Sequence, residues 1–331
     1  MKADVVVDLS YGDCGKGKVT HHLLKGGEYT HCIRYNGGHN AGHTIYHEGK
    51  KVITHIIPAG VFFGVKSIIG PGCVVNIDKF FEELKMLEEA GVEDVHSLVK
   101  ISRNAHIITQ SHLEEDGKDR DIGTTKQGNG PAYRDKYDRK GVRAHEFFPL
   151  RNYLVDIYQE LWYGDIEPVV LLEGAQGFGL DVNFGDYPYV TSSHCTVGGA
   201  ILNGVPHNAI RDVYGVCKAY ETYVGSKLFQ PKEEIFNKLR EVGNEYGATT
   251  GRPRQCNYLD TELLTKAIKL NGVTKLIMNK MDVLRELEEW TLRDSKKDTS
   301  FSFSTEEKFK DFFKTNFPNL EISFSYSPEE I

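Results

Sequence analysis

No two of the six cysteines in this 331-residue chain (Cys14, Cys32, Cys73, Cys195, Cys217 and Cys256) have C-x-x-C spacing. That argues against a structural zinc site and predicts reduced thiols in a cytoplasmic protein. No stretch approaches the roughly 18 apolar residues of a membrane span, and Met1-Lys2-Ala3-Asp4 does not begin a signal-peptide core. Excess positive charge is missing as well: 40 Lys and Arg against 47 Asp and Glu leave a net charge of −7. A general nucleic-acid binder would need the opposite sign. Repeats, low-complexity tracts and a dividing linker are also lacking, which predicts one continuous domain over residues 1–331.

What is present is an alternation of β-rich apolar runs with helical patterns. Val5 to Leu9, Cys32 to Tyr35, Val52 to Ile57, Val169 to Leu172, Val213 to Val216 and Leu276 to Met278 read as strands. Ile77, Phe80, Leu84 and Leu87 recur at helical spacing, and Leu259 to Leu270 has the same character, with Asp260 and Glu262 near its positive end. The pattern predicts an α/β fold with a largely parallel central sheet and helices on both faces. Residues 120–143 and 183–199 lack periodicity and, with 247–256, read as long functional loops.

Directly after Val5-Val6-Val7 comes Gly12-Asp13-Cys14-Gly15-Lys16-Gly17-Lys18. A glycine-rich loop between a strand and a helix leaves backbone N–H groups free to point at phosphate. The spacing fits the start of G-x-x-x-x-G-K-[ST], but Val19 stands where the magnesium-binding hydroxyl belongs, so Asp13 is the candidate metal ligand. A second cluster, Tyr35 to Thr44, reads either as a hairpin turn with surface histidines or as a flexible loop presenting an acid–base imidazole. His39, His43 and His47 recur every four residues, yet Gly37, Gly38 and Gly42 argue against the helix that a three-histidine metal site would need.

Further along, Gly174-Ala175-Gln176-Gly177 follows a buried strand and puts the Gln176 amide at the sheet's C-terminal edge. Gly247-Ala248-Thr249-Thr250-Gly251-Arg252-Pro253-Arg254 reads as a dicarboxylate-binding loop or a solvated basic turn. Asn279-Lys280-Met281-Asp282 after Leu276-Ile277-Met278 has the form of a guanine-reading turn, in which a carboxylate accepts from N1–H and the 2-amino group.

Taken in order, these motifs resemble the adenylosuccinate synthetases, GTP-dependent ligases that join aspartate to C6 of IMP. The resemblance runs from Val5 to about Ser327 and rests on GDxGKGK, GGHNAGHT, GTT with GPAY, EGAQG, YPYVTSS, GATTGRxR and NKxD. It implies that Asp13 removes the purine N1 proton and ligates Mg²⁺ with the Gly42 carbonyl. His43, Lys18 and Gln176 then assist phosphoryl transfer to the 6-oxygen. Gly12, Gly15, Lys16, Gly17, Lys18, Asn279, Lys280, Asp282, Ser325, Ser327 and Pro328 would bind the nucleoside triphosphate. Asp13, Cys14, Asn40, Thr124, Thr125, Gln176, Thr191, Val224 and Arg252 would bind the purine 5'-monophosphate, with Arg139 reaching it from the partner of a homodimer. L-aspartate would be held by Thr249, Thr250, Arg252 and Arg254.

The departures carry information too. Tyr11 and Cys14 replace the Trp and Glu of the ordinary enzymes, Lys126 to Asn129 alter the GTT loop, Arg252-Pro253-Arg254-Gln255 shortens the arginine run, and Ser325-Tyr326-Ser327-Pro328 replaces S-T-G-P. The altered phosphate loop, with Asp8-Leu9 before it and the aromatic Tyr11, resembles the phage branch that makes 2-aminoadenine nucleotides from dGMP, in the host cytoplasm, with ATP or dATP as alternative donors; the chain's shortness is shared by archaeal and phage forms. A small Cys14 beside N1 would leave room for a 2-amino group. The expectation is therefore dGMP as acceptor, with IMP as the alternative. A GTP-binding switch is the remote reading, since it needs neither the 247–254 nor the 123–133 loop.

Overall fold

The computed structural model describes residues 1–47, 49–118, 121–247 and 251–331. Nine strands form the central sheet: β1 (Lys2–Asp8), β2 (His31–Arg34), β3 (Lys66–Ile69), β4 (Val99–Ser102), β5 (Leu154–Val155), β6 (Val169–Glu173), β7 (Ile210–Lys218), β8 (Lys275–Asn279) and β9 (Glu321–Phe324). Their order across the sheet is β9-β8-β7-β1-β6-β2-β3-β4-β5, and every pairing is parallel. β1 lies between β6 and β7, where the direction of winding reverses. Open α/β sheets bind ligands at the strand C-termini beside such a switch.

Burial on both faces explains why the strands read as continuous apolar runs. Val5 and Val7 enter one core with Leu264, Ala267, Met281, Phe309 and Phe313, whereas Val6 enters the other with Val19, Phe80, Leu84 and Leu87. Each of those three fully buried valines contributes about 1.5–3 kcal/mol of transfer free energy. The helices that cover the faces include α1 (Lys16–Lys25), α2 (Ile77–Glu89), α4 (Thr261–Asn271), α5 (Met281–Leu287) and α6 (Glu306–Asn316), whereas α3 (Asn129–Tyr137) buries Ala132 and Tyr133 in a separate cluster with Val74 and Ile108. In α2 the Asn76 side chain caps the Lys79 N–H at 3.1 Å, and Phe80, Leu84 and Leu87 are buried as their spacing predicts. No helix among the described residues is long and apolar enough to cross a membrane.

Four expectations are corrected. Val52 to Ile57 does not join the central sheet: Lys50–Thr54 pairs antiparallel with His43–His47 as a separate hairpin. The predicted helix from Leu259 begins at Thr261, because Leu259 and Asp260 end the strand Gln255–Asp260 and the Asp260 carboxylate caps Glu262 N–H at 3.1 Å. The 120–143 loop contains α3, whose Pro131 falls in the first turn, where a helix needs no N–H. Likewise 183–199 ends in the helix Val197–Ile201.

A smaller sheet, Tyr220–Tyr223, Gln255–Asp260, Thr291–Asp294 and Thr299–Ser302, flanks the C-terminal ends of β1 and β7.

Candidate active site

The C-terminal ends of β1, β6, β7 and β8 open into one cavity of about 1080 Å³. Gly12 to Lys18 form its floor, and Gly12, Asp13 and Gly15 all have positive φ (87°, 58° and 98°), which curls the loop around itself. Some of its amides do not await an anion. Asp8, buried at the end of β1, accepts from Ser10 N–H at 3.0 Å and Gly12 N–H at 3.2 Å through Oδ1. Its Oδ2 accepts from Cys14 N–H and the Lys16 ammonium, both at 3.1 Å. Lys16 also donates to the Gln176 carbonyl, so it bridges two loops instead of reaching freely into the cavity.

Asp13 does face the cavity, with 40% of its side chain exposed. Its Oδ2 lies 2.9 Å from both Nε and a terminal nitrogen of Arg254. Arg254 is in turn held by buried Glu245 at 2.7 Å, and Glu245 also accepts from Lys218 at 2.7 Å and from Tyr220 at 2.6 Å. Burial alone would raise the Glu245 carboxyl, but the Lys218 and Arg254 charges bring it down to about 2.

His43 starts the hairpin strand and is buried against the end of β6. Its Nδ1 meets Glu173 Oε1, which also accepts from Arg34 at 2.6 Å, while Glu173 Oε2 accepts from Ala59 N–H at 2.9 Å. Burial and then the Arg34 charge hold the His43 pKa down to about 4. Burial opposes ionisation of Glu173, yet Arg34 and His43 take it to about 2. The consistent state is a glutamate neutralised by Arg34 and a neutral imidazole donating through Nδ1, which leaves Nε2 as the ring's second nitrogen. The other two histidines of the series go elsewhere: His39 Nε2 lies 3.8 Å from Glu83, and His47 meets His21 at 3.2 Å.

In the turn after β6, Gln176 (φ 56°) donates to Asn40 Oδ1 at 3.1 Å, and its own Oε1 is buried without a hydrogen bond among the described residues. A Cβ on Gly37 would lie 2.8 Å from that oxygen, which accounts for the glycine. The Tyr133 hydroxyl pins the same loop, accepting from Gly37 N–H at 2.9 Å and donating to the Gly72 carbonyl at 2.7 Å. Gly42, Thr124, Thr125, Thr191 and Val224 also line the cavity.

At the far end are Asn279, Lys280, Asp282, Ser327 and Pro328. Asn279 donates to the Cys14 carbonyl at 2.7 Å, clamping the turn to the phosphate loop. Lys280 donates to the Gly243 carbonyl at 2.7 Å. Lys18 donates to Ser325 Oγ at 2.6 Å and to the carbonyls of Ser327 and Glu330 at 3.0 and 3.1 Å, and burial lowers its pKa to about 8.

Several sequence expectations need adjustment. Cys14 reaches the cavity lining, but the residue is only 2% exposed and its thiol donates to the Gly12 carbonyl at 3.4 Å within a hydrophobic core. The thiol itself therefore points into the core, away from the cavity space. Arg252 and Arg139 are exposed and do not line this cavity. Thr249 and Thr250 lie outside the described residues. Asp8, Arg34, Glu173, Lys218 and Glu245 were missed. Charged residues inside otherwise apolar strands were the available signal for Arg34 and Glu173, because such a charge requires a buried partner.

The sequence model for "Adenylosuccinate synthetase" matches residues 5–161 and 149–297. Adenylosuccinate synthetase of Caldanaerobacter subterraneus subsp. tengcongensis is 38% identical over 87% of this chain and 79% of its own length. That of Lactococcus lactis subsp. cremoris is 40% identical over the same shares. The fully ligated Plasmodium falciparum adenylosuccinate synthetase superposes with a TM-score of 0.87 at 27% identity, covering 99% of this chain and 98% of that one. A cyanophage S-2L succinoaminodeoxyadenylate synthetase bound to dGMP and dATP shares the fold, with a TM-score of 0.78 at 21% identity over 99% and 93% of the two chains. The chain therefore belongs to the adenylosuccinate synthetase family, whose members are Mg²⁺-using ligases that form a C–N bond from a nucleoside monophosphate, aspartate and a nucleoside triphosphate.

Proposed function

We propose that the protein joins L-aspartate to C6 of IMP with GTP as phosphoryl donor. The observation that carries this reading is that Asp13, His43, Gln176 and the Asn279–Asp282 turn all face one cavity. Relatives at 38–40% identity support IMP over dGMP. The buried Cys14 thiol supports it too, since the space argument for dGMP rested on that side chain.

In this reading Asp13 takes the N1 proton of the purine, and the 6-oxygen attacks the γ-phosphorus of GTP. His43, oriented by Glu173, places Nε2 at the transferring group, and Lys18 leaves its tail carbonyls for the triphosphate. Gln176 and Asn40 grip the monophosphate with Thr124, Thr125 and Thr191 beside it, Val224 lies against the nucleoside, and Arg252 closes from outside. The aspartate amine then displaces phosphate from C6. Arg254, backed by Glu245, receives a carboxylate of that aspartate, with Thr249 and Thr250 as its further partners. Asp282 reads guanine, and Ser325, Ser327 and Pro328 wall its far side.

For the metal, a partly exposed carboxylate beside a carbonyl-bearing loop is a hard oxygen donor set, which suits Mg²⁺. Asp13 and the Gly42 carbonyl would hold it, and when bound it offsets charge on the phosphates. Arg139, exposed and outside its own chain's cavity, fits a role in the site of a second subunit of a homodimer. Six unpaired, buried cysteines suit the cytoplasm.

Phosphate release measured with IMP, GMP or dGMP as acceptor, and GTP, ATP or dATP as donor, tests the reading. IMP- and aspartate-dependent release with GTP is expected. Turnover confined to dGMP would move the protein to the 2-aminoadenine pathway, and GTP hydrolysis independent of aspartate would make it a switch.

A further inference from the structure

The phosphate loop already contains an anion. Asp8 is 1% exposed, does not line the cavity, and receives four donors: the N–H groups of Ser10, Gly12 and Cys14 and the Lys16 ammonium, at 3.0, 3.2, 3.1 and 3.1 Å. A buried ion pair is costly unless its remaining hydrogen-bonding positions are filled, and here each carboxylate oxygen accepts from two donors. Lys16 carries the linkage onward to the Gln176 carbonyl. Gly177 lets the two loops meet: a Cβ there would lie 2.6 Å from Asp8 Oδ1 and 2.4 Å from the Gly12 nitrogen. Its φ of −157° is ordinary extended backbone, so the demand for glycine at this position is purely steric.

We propose that Asp8 is a positioning residue that shapes the phosphate loop before nucleotide binds and holds Lys16 as a strut between the donor loop and the acceptor-side Gln176. It rests on the function proposed above only in assigning those two loops to donor and acceptor. Without the carboxylate, three backbone amides and one ammonium lose a common acceptor. The loop must then be ordered by the triphosphate itself, which weakens binding.

The main test compares wild type with Asp8→Asn, which has the same shape but turns a donor toward Cys14 N–H and Lys16. Hydrogen exchange of the free protein should show the amides of residues 10–14 exchanging at least tenfold faster in the variant. Calorimetry with guanosine 5'-(βγ-imido)triphosphate and Mg²⁺ should show at least tenfold weaker binding. KM for GTP should rise to match while KM for aspartate stays within twofold, a split that a loss of folded protein alone would not produce. In the Lys16→Met background, Asp8→Asn should cost less than a further threefold in analogue affinity.

Gly177→Ala, which keeps every charge and forces the loops apart, should reproduce the faster exchange and decides the matter if Asp8→Asn does not fold. Wild-type exchange in the folded variant, or multiplicative effects of Asp8→Asn and Lys16→Met, overturns the proposal. Absence of IMP turnover with accelerated exchange in the variant would sink the functional reading and leave this one standing.

Discussion

Beneath the cavity, Asp8, Glu173 and Glu245 are each 0 or 1% exposed, and each holds a lysine or arginine: Lys16, Arg34, and Lys218 with Arg254. Around its mouth, Asn40, Thr124, Thr125 and Thr191 are neutral and half-buried. The floor is assembled and charge-balanced by the fold. The rim offers single hydrogen bonds to whatever enters. Charges in the floor cannot be left unpaired without penalty, so the groups that shape the cavity are also part of the scaffold. Side chains at the rim can vary at little cost in stability.

Asp13 belongs to the floor in position and to the rim in exposure, which makes it the sharpest probe of the contrast. Asp13→Asn should lower kcat about 10²–10⁴-fold in single-turnover phosphate release, as for loss of a general base, with a small change in urea midpoint. Glu173→Gln should damage both properties. Leaving Arg34 without its counter-charge is expected to cost about 3–5 kcal/mol in urea denaturation. Loss of the His43 orienting partner should take kcat down about tenfold or more. A variant as stable as wild type would break the equation of floor with scaffold.

Rim substitutions should act on binding alone. Asp282→Asn is expected to raise KM for GTP about tenfold with kcat nearly unchanged, the value of one charged hydrogen bond. An unchanged preference for GTP over ATP would remove Asp282 from guanine recognition. Thr125→Ala should raise KM for IMP about fivefold and leave the melting temperature alone.

The smallest effect concerns pH. Burial, then the Asp260 charge, raises buried Glu221 to about 8. The folded protein therefore binds a proton there that the unfolded chain has released, and this contribution to stability is complete below about 4.5 and lost as pH rises through 8. His43 acts in the opposite sense: with its folded pKa near 4 against an ordinary 6.5, it costs stability as pH falls from 6.5 through 4. Melting curves across pH 5–9 should show Glu221→Gln losing less stability than wild type on the alkaline side. Identical slopes would mean that Glu221 is ionised in the fold.

Local chemistry alone was enough to locate much of this protein. Runs such as Val5-Val6-Val7 have to be buried on both sides, so the parallel sheet was legible from composition and spacing. The glycine-rich loop, the Asn279–Asp282 turn and the Gln176 turn each follow an apolar strand, and strand C-termini share an edge, so their convergence was legible as well. Partners distant in sequence were not. Asp8 with Lys16 and Gln176, His43 with Glu173 and Arg34, and Arg254 with Asp13 and Glu245 are brought together by strand order, and strand order is set by packing over the whole chain. The same packing decided Cys14. A small residue in a phosphate loop is ambiguous in one dimension, and only the core beneath the loop turns its thiol inward.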